Sequence, residues 1–265
     1  MAVTETLGTV ARALSVLTVL AESKDAIGVK NIATALDLPM STSHRLLDLL
    51  HEGGFVQKDE KRRRYTIGME FLRLANLVVQ RTSYGAAVQP ALDRISKETG
   101  ETTMYAEYLP TKRTIMYSAK ADSPQSLRFR ITLFQETAAE WGASGQAIIA
   151  FLPADVQKEI QAASRPSPIS KQRLSRTAFF ERIESVRKNG YATSEGEKLP
   201  DSIGIAVPVM LGAEQIGGSI TLTIPKVRFV RAKLSGYVDL LRKEANAIVM
   251  GPLHHRLPAT RGKIK

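Results

Sequence analysis

Residues 29–56 contain two short helical patterns around a tight turn, and no other stretch restricts the possible folds as strongly. The first pattern, Lys30–Leu36, ends before Pro39, which has no N–H to donate and disfavours helical backbone in the residue before it. The second pattern begins at a predicted cap, Ser41 or Thr42, and stops at a pair of glycines. Apolar residues recur at helical spacing in both. The sequence therefore predicts a helix-turn-helix, whose second helix fits a DNA major groove.

A basic hairpin follows the second helical pattern. Phe55–Gln57 and Tyr65–Ile67 alternate like short strands, and the segment between them ends in three consecutive arginines. A charged loop tip alone is most often a solvated surface. Directly after a helix-turn-helix, however, it is typical of a wing that reaches phosphates or a minor groove. The predicted DNA contacts share the start of the second helix and the wing: Ser41, Thr42, His44, Arg45, Arg62, Arg63 and Arg64.

The net charge of +11 is not concentrated where DNA binding is predicted. Residues 1–82 carry a net charge of only +2, and the remaining 183 residues carry +9. The prediction of DNA binding therefore depends on where individual basic residues lie and not on the overall charge.

The absence of cysteine excludes disulfides and thiolate metal sites and fits a reducing cytoplasm. No apolar run approaches the ~18 residues that a membrane helix needs. The apolar run Val10–Ala21 is interrupted by Arg12, so it is interpreted as part of an amphipathic core helix, Thr9–Glu22, and not as a signal peptide. We expect a cytoplasmic protein with no membrane partner, and no motif indicates a cofactor.

The chain is predicted to contain a winged helix-turn-helix domain at 1–68, a linker helix at 69–83, a second domain at 84–253, and a disordered basic tail at 254–265. In the second domain, helical patterns alternate with neighbouring, hairpin-like strands, which favours an α+β fold with an antiparallel sheet flanked by helices. The predicted strands include Thr102–Leu109, Thr114–Lys120 and Leu127–Ile131. The predicted helices include Ser144–Phe151 and a later helix capped by Ser175 or Thr177.

The second domain lacks the usual catalytic groups. Between Glu52 and Leu253 there is neither histidine nor cysteine, which removes the commonest general base, the thiol nucleophile and most first-row metal sites. Glu195 and Glu197 remain as a carboxylate pair, but glutamates at strand ends are usually exposed charges. The sequence therefore predicts that the protein is not an enzyme.

Two segments favour a binding site instead. The small residues in Trp141–Gln146 precede an apolar helix, and free N–H groups at the start of a helix suit a carboxylate or phosphate. An ordinary capped turn explains this segment equally well. Strand alternation also places Thr221 and Thr223 on one face, which is informative only if the Ala143–Ser144 turn lies opposite them.

These segments together resemble the IclR family of bacterial transcriptional regulators over nearly the whole chain. The resemblance is carried in the first domain by the helix-turn-helix sequence Leu38–Leu47, by Gly54-Phe55-Val56 and by Tyr65–Gly68. In the second domain it is carried by Ser144–Ala147 and Ala150–Leu152, by Gly190-Tyr191-Ala192 with Glu195-Gly196-Glu197, by Ile205–Val209 and by Gly217–Pro225.

The resemblance implies a GAF-like effector domain, assembly as a homodimer or homotetramer, palindromic operators in double-stranded DNA, and small organic acids, some of them aromatic, as effectors. By analogy, the effector contacts would be Ala143, Ser144, Ser194, Gly204, Thr221 and Thr223. The sequence leaves the identity of the effector open. Two rival functions also remain: an enzyme of small carboxylic acids with a DNA-binding appendage, and a constitutive DNA binder whose second domain only oligomerises.

Overall fold

The structure, a computed structural model, describes residues 8–82, 84–212 and 215–250. It divides into two units, one before and one after residue 83. The predicted basic tail at 254–265 lies outside the described residues. No helix in these described ranges is both long and apolar enough to cross a membrane.

Over residues 8–82, the first unit combines four helices with a small antiparallel sheet in which β3 lies between β1 and β2. Its elements are α1 Thr9–Glu22, β1 Ile27–Gly28, α2 Val29–Leu36, α3 Met40–Glu52, β2 Val56–Asp59, β3 Arg64–Ile67 and α4 Met69–Thr82. The core joins Val16 and Leu20 of α1 to Ile32 of α2 and to Leu46 and Leu47 of α3. Burial of this apolar set holds α3 against the unit and leaves its opposite face in solvent.

The start of α3 differs from the prediction. The helix begins at Met40 directly after Pro39, and no side chain caps it. Ser41 and Thr42 lie inside the first turn, so the prediction that one of them is the cap was wrong. Pro39 occupies the N-cap position with φ −58°, an angle that its ring restricts, and the helix starts two residues earlier than a Ser41 cap would allow.

The second unit is built on a six-stranded antiparallel sheet in the order β6-β5-β4-β9-β8-β7. Its strands are β4 Thr102–Leu109, β5 Thr114–Ala121, β6 Glu136–Ala138, β7 Ala192–Glu195, β8 Ser202–Met210 and β9 Ile216–Pro225. Its helices are α5 Tyr84–Thr99, α6 Gly142–Ile149, α7 Ala154–Ala162, α8 Arg176–Asn189 and α9 Leu234–Met250. The predicted α+β fold, with a helix-turn-helix followed by an antiparallel sheet and flanking helices, is confirmed.

The sheet has a different helical layer on each face. One apolar core contains α5, α9 and the isoleucines and leucine of β9. The other contains α6, α7 and α8. The alternation of β9 therefore turns Ile220, Leu222 and Ile224 toward the first core and leaves Thr221 and Thr223 on the α6 side.

Two predicted details of the second unit were wrong. Leu127–Ile131 is irregular chain, and the strand that pairs with β5 at this edge is the three-residue β6. The helix predicted from Ser144 begins two residues earlier, at Gly142. A strand of three residues offers too little alternation for a sequence pattern to show it.

Candidate effector cavity and DNA-binding surface

The N-terminus of α6 is held by side chains from the end of β7 and the loop after it. Gly142 has φ +76°, and its N–H donates to Glu197 Oε2 at 2.8 Å. The N–H of Ala143 donates to Ser194 Oγ at 3.0 Å. Two of the free donors at this helix end are therefore already satisfied within the chain. Glu197 is mostly buried here, so the expectation that it is an exposed charge was wrong; Glu195 is exposed and pairs with Lys226.

A row of short side chains crosses the sheet beneath this helix end. Ser194 on β7 pairs with Gly204 on β8, which in turn pairs with Thr223 on β9. A Cβ atom on Gly204 would lie 2.8 Å from Ser194 Oγ and 3.4 Å from Ala143 Cβ. Only glycine therefore lets α6 and Ser194 approach the strand this closely.

These residues surround one cavity of about 280 Å³. All six residues proposed as effector contacts line it, although they come from four separate elements or their ends. The structure thus brings together the Ala143–Ser144 turn and the two threonines of β9, which was the condition under which the threonines become informative. Their part in binding stays a prediction. The other lining residues include Met104, Tyr117, Arg130, Ile131, Gln135, Lys198, Leu199 and Ser202.

Hydroxyl groups form the polar side of the cavity. Thr221 Oγ1 donates to Ser144 Oγ at 2.9 Å, and the hydroxyl of Tyr117 lies 3.2 Å from the same Ser144 oxygen. Thr223 makes no side-chain hydrogen bond within the described part of the chain. The cavity therefore offers hydroxyls that can both donate to and accept from a polar ligand.

Lys198 is a cavity residue that the sequence did not single out. Its Nζ is buried and has no hydrogen-bond partner among the described residues. Burial lowers the pKa of Lys198 to about 7, against the attraction of Glu140 and Glu197, while Arg165 lowers the pKa further. No local pattern marks this residue, because a lysine one position after Glu197 is ordinary until the fold buries it.

No described residues form a group of three or more histidine, aspartate or glutamate side chains suited to a metal ion. The glutamates at and near the cavity are instead paired with cationic side chains. Glu136, which lines the cavity, is paired with Lys112. Glu140 lies 3.5 Å from Arg165, and Glu197 lies 2.9 Å from Arg182.

In the first unit, α3 presents the predicted polar edge to solvent. Ser41, His44 and Arg45 are exposed and Thr42 is half-buried, while Leu46 and Leu47 are buried. The N-terminal half of α3 is therefore free to contact base edges, as a recognition helix must be.

The wing arginines fall into two groups. Asp59 accepts hydrogen bonds from the N–H groups of Lys61 and Arg62, both at 3.0 Å, and this shapes the hairpin turn. Arg62 and Arg63 are exposed at the tip, and their side chains make no hydrogen bond or ion pair with the described residues. Arg64 lies on β3, where its Nη1 donates to the carbonyl of Ala26 at 3.1 Å. Two of the three arginines are thus free to reach a phosphate, and the third braces the wing.

Helices α2 and α3 with the hairpin define a winged helix-turn-helix protein, whose second unit contains the cavity described above. Two family models match the chain: the IclR helix-turn-helix domain over residues 9–60 and the C-terminal domain of the bacterial transcriptional regulator IclR over residues 76–250. The chain belongs to the IclR family of bacterial transcriptional regulators.

Individual relatives agree with this family. A probable HTH-type transcriptional regulator, ArcR, of Halobacterium salinarum is 25% identical over 230 residues, covering 84% of this chain and 85% of its own length. A putative IclR regulator structure from Silicibacter sp. TM1040 matches with a TM-score of 0.82 at 24% identity, covering 92% of this chain and 95% of that one. An IclR homolog from Microbacterium hydrocarbonoxydans, solved with 4-hydroxybenzoate, matches with a TM-score of 0.74 at 18% identity, covering 92% and 98%.

These relatives are regulators and not enzymes. The predicted class of protein, a DNA-binding transcriptional regulator of the IclR family, is confirmed, and the alternative of an enzyme with a DNA-binding appendage has no support.

Proposed function

We propose that a small organic acid binds the cavity between α6 and the sheet and thereby changes the affinity of this regulator for its operator. The observation that carries the proposal is the convergence of six residues from distant parts of the sequence on one cavity of about 280 Å³. A structural relative binds 4-hydroxybenzoate, which supports an organic acid as the class of ligand. An effector changes operator affinity only if it favours one arrangement of the protein, a coupling of roughly 1–3 kcal/mol.

The proposed DNA contacts are the exposed polar edge of α3 and the tip of the wing. Arg45, with Ser41, Thr42 and His44, would contact bases and phosphates, and Arg62 and Arg63 would contact phosphates. Arg64 would support the wing through its bond to Ala26.

The test begins with an operator selected by the purified protein from a pool of random DNA. Arg45→Ala should weaken binding to that operator by roughly 1–3 kcal/mol and relax the preference at one base pair, if the guanidinium reads a guanine. Arg113→Ala is the matched control, because Arg113 is an exposed arginine of the second unit and is paired with Glu159. Unchanged affinity and sequence preference for Arg45→Ala would remove it from the interface.

The wing is tested with the same operator by varying salt. Each lost phosphate contact should reduce the slope of log affinity against log salt by about 0.9, so the double change Arg62→Ala and Arg63→Ala should flatten it by up to about 2. An identical slope would show that the wing does not touch DNA.

We further propose that the regulator acts as a homodimer or homotetramer on a palindromic operator in the cytoplasm. The support is the apolar surface of α4, where Met69, Leu72 and Leu77 are exposed. Two-fold symmetry of a dimer would match two half-sites of a palindrome.

The binding of an effector distinguishes this proposal from the alternative that the protein is a constitutive DNA binder. A thermal-shift screen of organic acids identifies ligands, since a compound at ~100 times its dissociation constant adds about 2.7 kcal/mol of stability. Thr221→Val and Thr223→Val should abolish that stabilisation. Failure of every acid to stabilise the protein or to change operator binding would favour the constitutive binder.

A further inference from the structure

Two cationic side chains line the cavity, Arg130 and Lys198. Arg130 is exposed, whereas the Nζ of Lys198 is buried without a hydrogen bond or ion pair to the described residues. The methylenes of Lys198 lie against the backbone of Gly142, where a Cβ atom would come within 3.1 Å of Cδ. Its Nζ lies 5.9 Å from the centre of the Tyr117 ring, whose hydroxyl touches Ser144. Lys198 therefore lies next to the N-terminus of α6 and the hydroxyl cluster of the cavity.

The charges around Lys198 already balance without it. The groups that face its amine are Glu140 and Glu197, each paired with an arginine, and the hydroxyl-bearing ring of Tyr117. Neither glutamate comes within ion-pair distance of Lys198 in the described structure. The two glutamates and their two arginines sum to zero charge, so Lys198 adds a net positive charge to the cavity wall.

Stability does not explain this lysine. A buried ammonium without a hydrogen bond is costly, whereas a methionine would provide the same apolar stem without that cost. Packing against Gly142 therefore accounts for the methylenes of Lys198 and not for its amine. An anionic ligand in the cavity does account for the amine, because it supplies the opposite charge.

We propose that Lys198 is the residue that selects the effector by charge, binding its carboxylate through the protonated amine, so that effector binding is accompanied by uptake of a proton at alkaline pH. This inference rests on the proposed function of the cavity. The flexible four-carbon stem would turn the ammonium toward the ligand. The backbone N–H groups of Gly142 and Ala143 already donate to Glu197 and Ser194. Lys198 therefore supplies the positive charge for the carboxylate that a free helix N-terminus would otherwise supply.

The hydroxyl groups and the volume of the cavity limit the chemical class of the ligand. Ser144, Thr221, Thr223 and the hydroxyl of Tyr117 suit a second polar group on the ligand. The volume of about 280 Å³ suits a compact molecule. The ligand class is a small carboxylate that also bears a hydroxyl or carbonyl oxygen.

The first experiment compares acids with their uncharged amides. The probes are lactate, pyruvate and 4-hydroxybenzoate, each against its amide, together with inorganic phosphate, and the readout is the rise in melting temperature followed by calorimetric titration. A carboxylate should bind wild type and its amide should not. Phosphate binding without any carboxylate binding would overturn the carboxylate assignment.

The matched variants are Lys198→Met, which keeps the stem, and Lys226→Met, which removes a lysine from the exposed pair with Glu195. Lys198→Met should weaken carboxylate binding by roughly 30-fold or more, as expected for truncating one partner of a buried charge pair. Lys226→Met should bind like wild type. Equal binding by Lys198→Met and wild type would overturn the proposal.

Proton uptake provides a test that needs no variant. Because the amine has a pKa of about 7, carboxylate affinity should be nearly constant below pH 7 and fall by at most about tenfold per pH unit above it. Titration at pH 8 in two buffers with different ionisation enthalpies should show uptake of a fraction of a proton. Zero uptake would overturn the inference.

The outcomes separate this inference from the proposed function. If amides bind as well as acids and both change operator affinity, the cavity remains the effector site and the role of Lys198 is disproved. If acids bind the Thr221 and Thr223 variants unchanged and also bind Lys198→Met unchanged, both proposals fail. If no probe binds wild type, both fail as well, and DNA binding is unaffected.

Discussion

At the scale of single residues, two glycines decide how α6 meets its surroundings. Gly204 allows Ser194 and Ala143 to lie close to the backbone of β8 at the cavity, as described above. Gly145, one turn into the helix, has no room for a side chain at all: a Cβ atom there would lie 1.8 Å from the carbonyl oxygen of Ala139. Backbone packed this closely cannot accept even a methyl group without moving.

Gly145→Ala should therefore destabilise the protein by roughly 2 kcal/mol or more, because the helix must shift away from the segment before it. The control is Gly236→Ala in α9, where a Cβ atom meets nothing within 4 Å and alanine should stabilise the helix by up to about 1 kcal/mol. Chemical denaturation of both variants measures the difference. Equal stability of the two would show that the contact with Ala139 relaxes freely.

At the scale of elements, the first turn of α8 gives a direct test of capping. The sequence left Ser175 and Thr177 as alternative caps. In the structure Ser175 precedes the helix and its Oγ accepts from the N–H of Ala178 at 3.1 Å. Ser175 is the N-cap, and Thr177 lies inside the helix.

Ser175→Ala should therefore cost about 1 kcal/mol of stability, since it removes the acceptor of a helix-end N–H. Thr177→Ala should be neutral or slightly stabilising, because alanine has the higher helix propensity and the threonine caps nothing. Thermal and urea unfolding of the two variants gives the answer. A larger loss for Thr177→Ala would contradict the cap assignment.

The ends of some helices and strands could be predicted well from the sequence. Helix α1 and strand β4 have the predicted ends, because periodic apolar residues and nearby glycines mark them locally. The short strands β1 and β6 were missed, since two or three residues are too few to show strand alternation. The start of α3 was misplaced because proline, and not a serine or threonine hydroxyl, begins that helix.

The candidate site could likewise be predicted only in part from the sequence. Thr221 and Thr223 were recognisable from strand alternation, and the turn at Ala143 and Ser144 from its small residues and apolar helix. That the two lie opposite each other follows only from the pairing of β7, β8 and β9. Lys198 was out of reach, since its burial and lack of a partner arise from the folded surroundings and from no local pattern.

At the scale of the whole molecule, the surface of α4 bears on assembly. Met69, Leu72 and Leu77 are 73%, 52% and 40% exposed, an unusual amount of apolar surface for one helix. Exposed apolar patches of this kind commonly mark interfaces. This surface is the basis for the proposed self-association.

We expect the protein to self-associate in solution and the double change Leu72→Glu and Leu77→Glu to shift it toward monomer, because glutamates placed in an apolar interface must lose their hydration. Val227→Glu is the control, since Val227 is 82% exposed outside α4. Sedimentation equilibrium measures the association. Wild type that stays monomeric at the concentrations needed for operator binding would refute it.

Successive residues of strand β9 lie on opposite faces of the sheet and have different surroundings. Its aliphatic residues pack in an apolar core, and its threonines line the cavity. Under the proposed function, substitutions at the two threonines would alter ligand recognition and leave that apolar core intact. Such a scaffold would then permit new chemical signals to be sensed through a few substitutions, without any change in the path of the main chain.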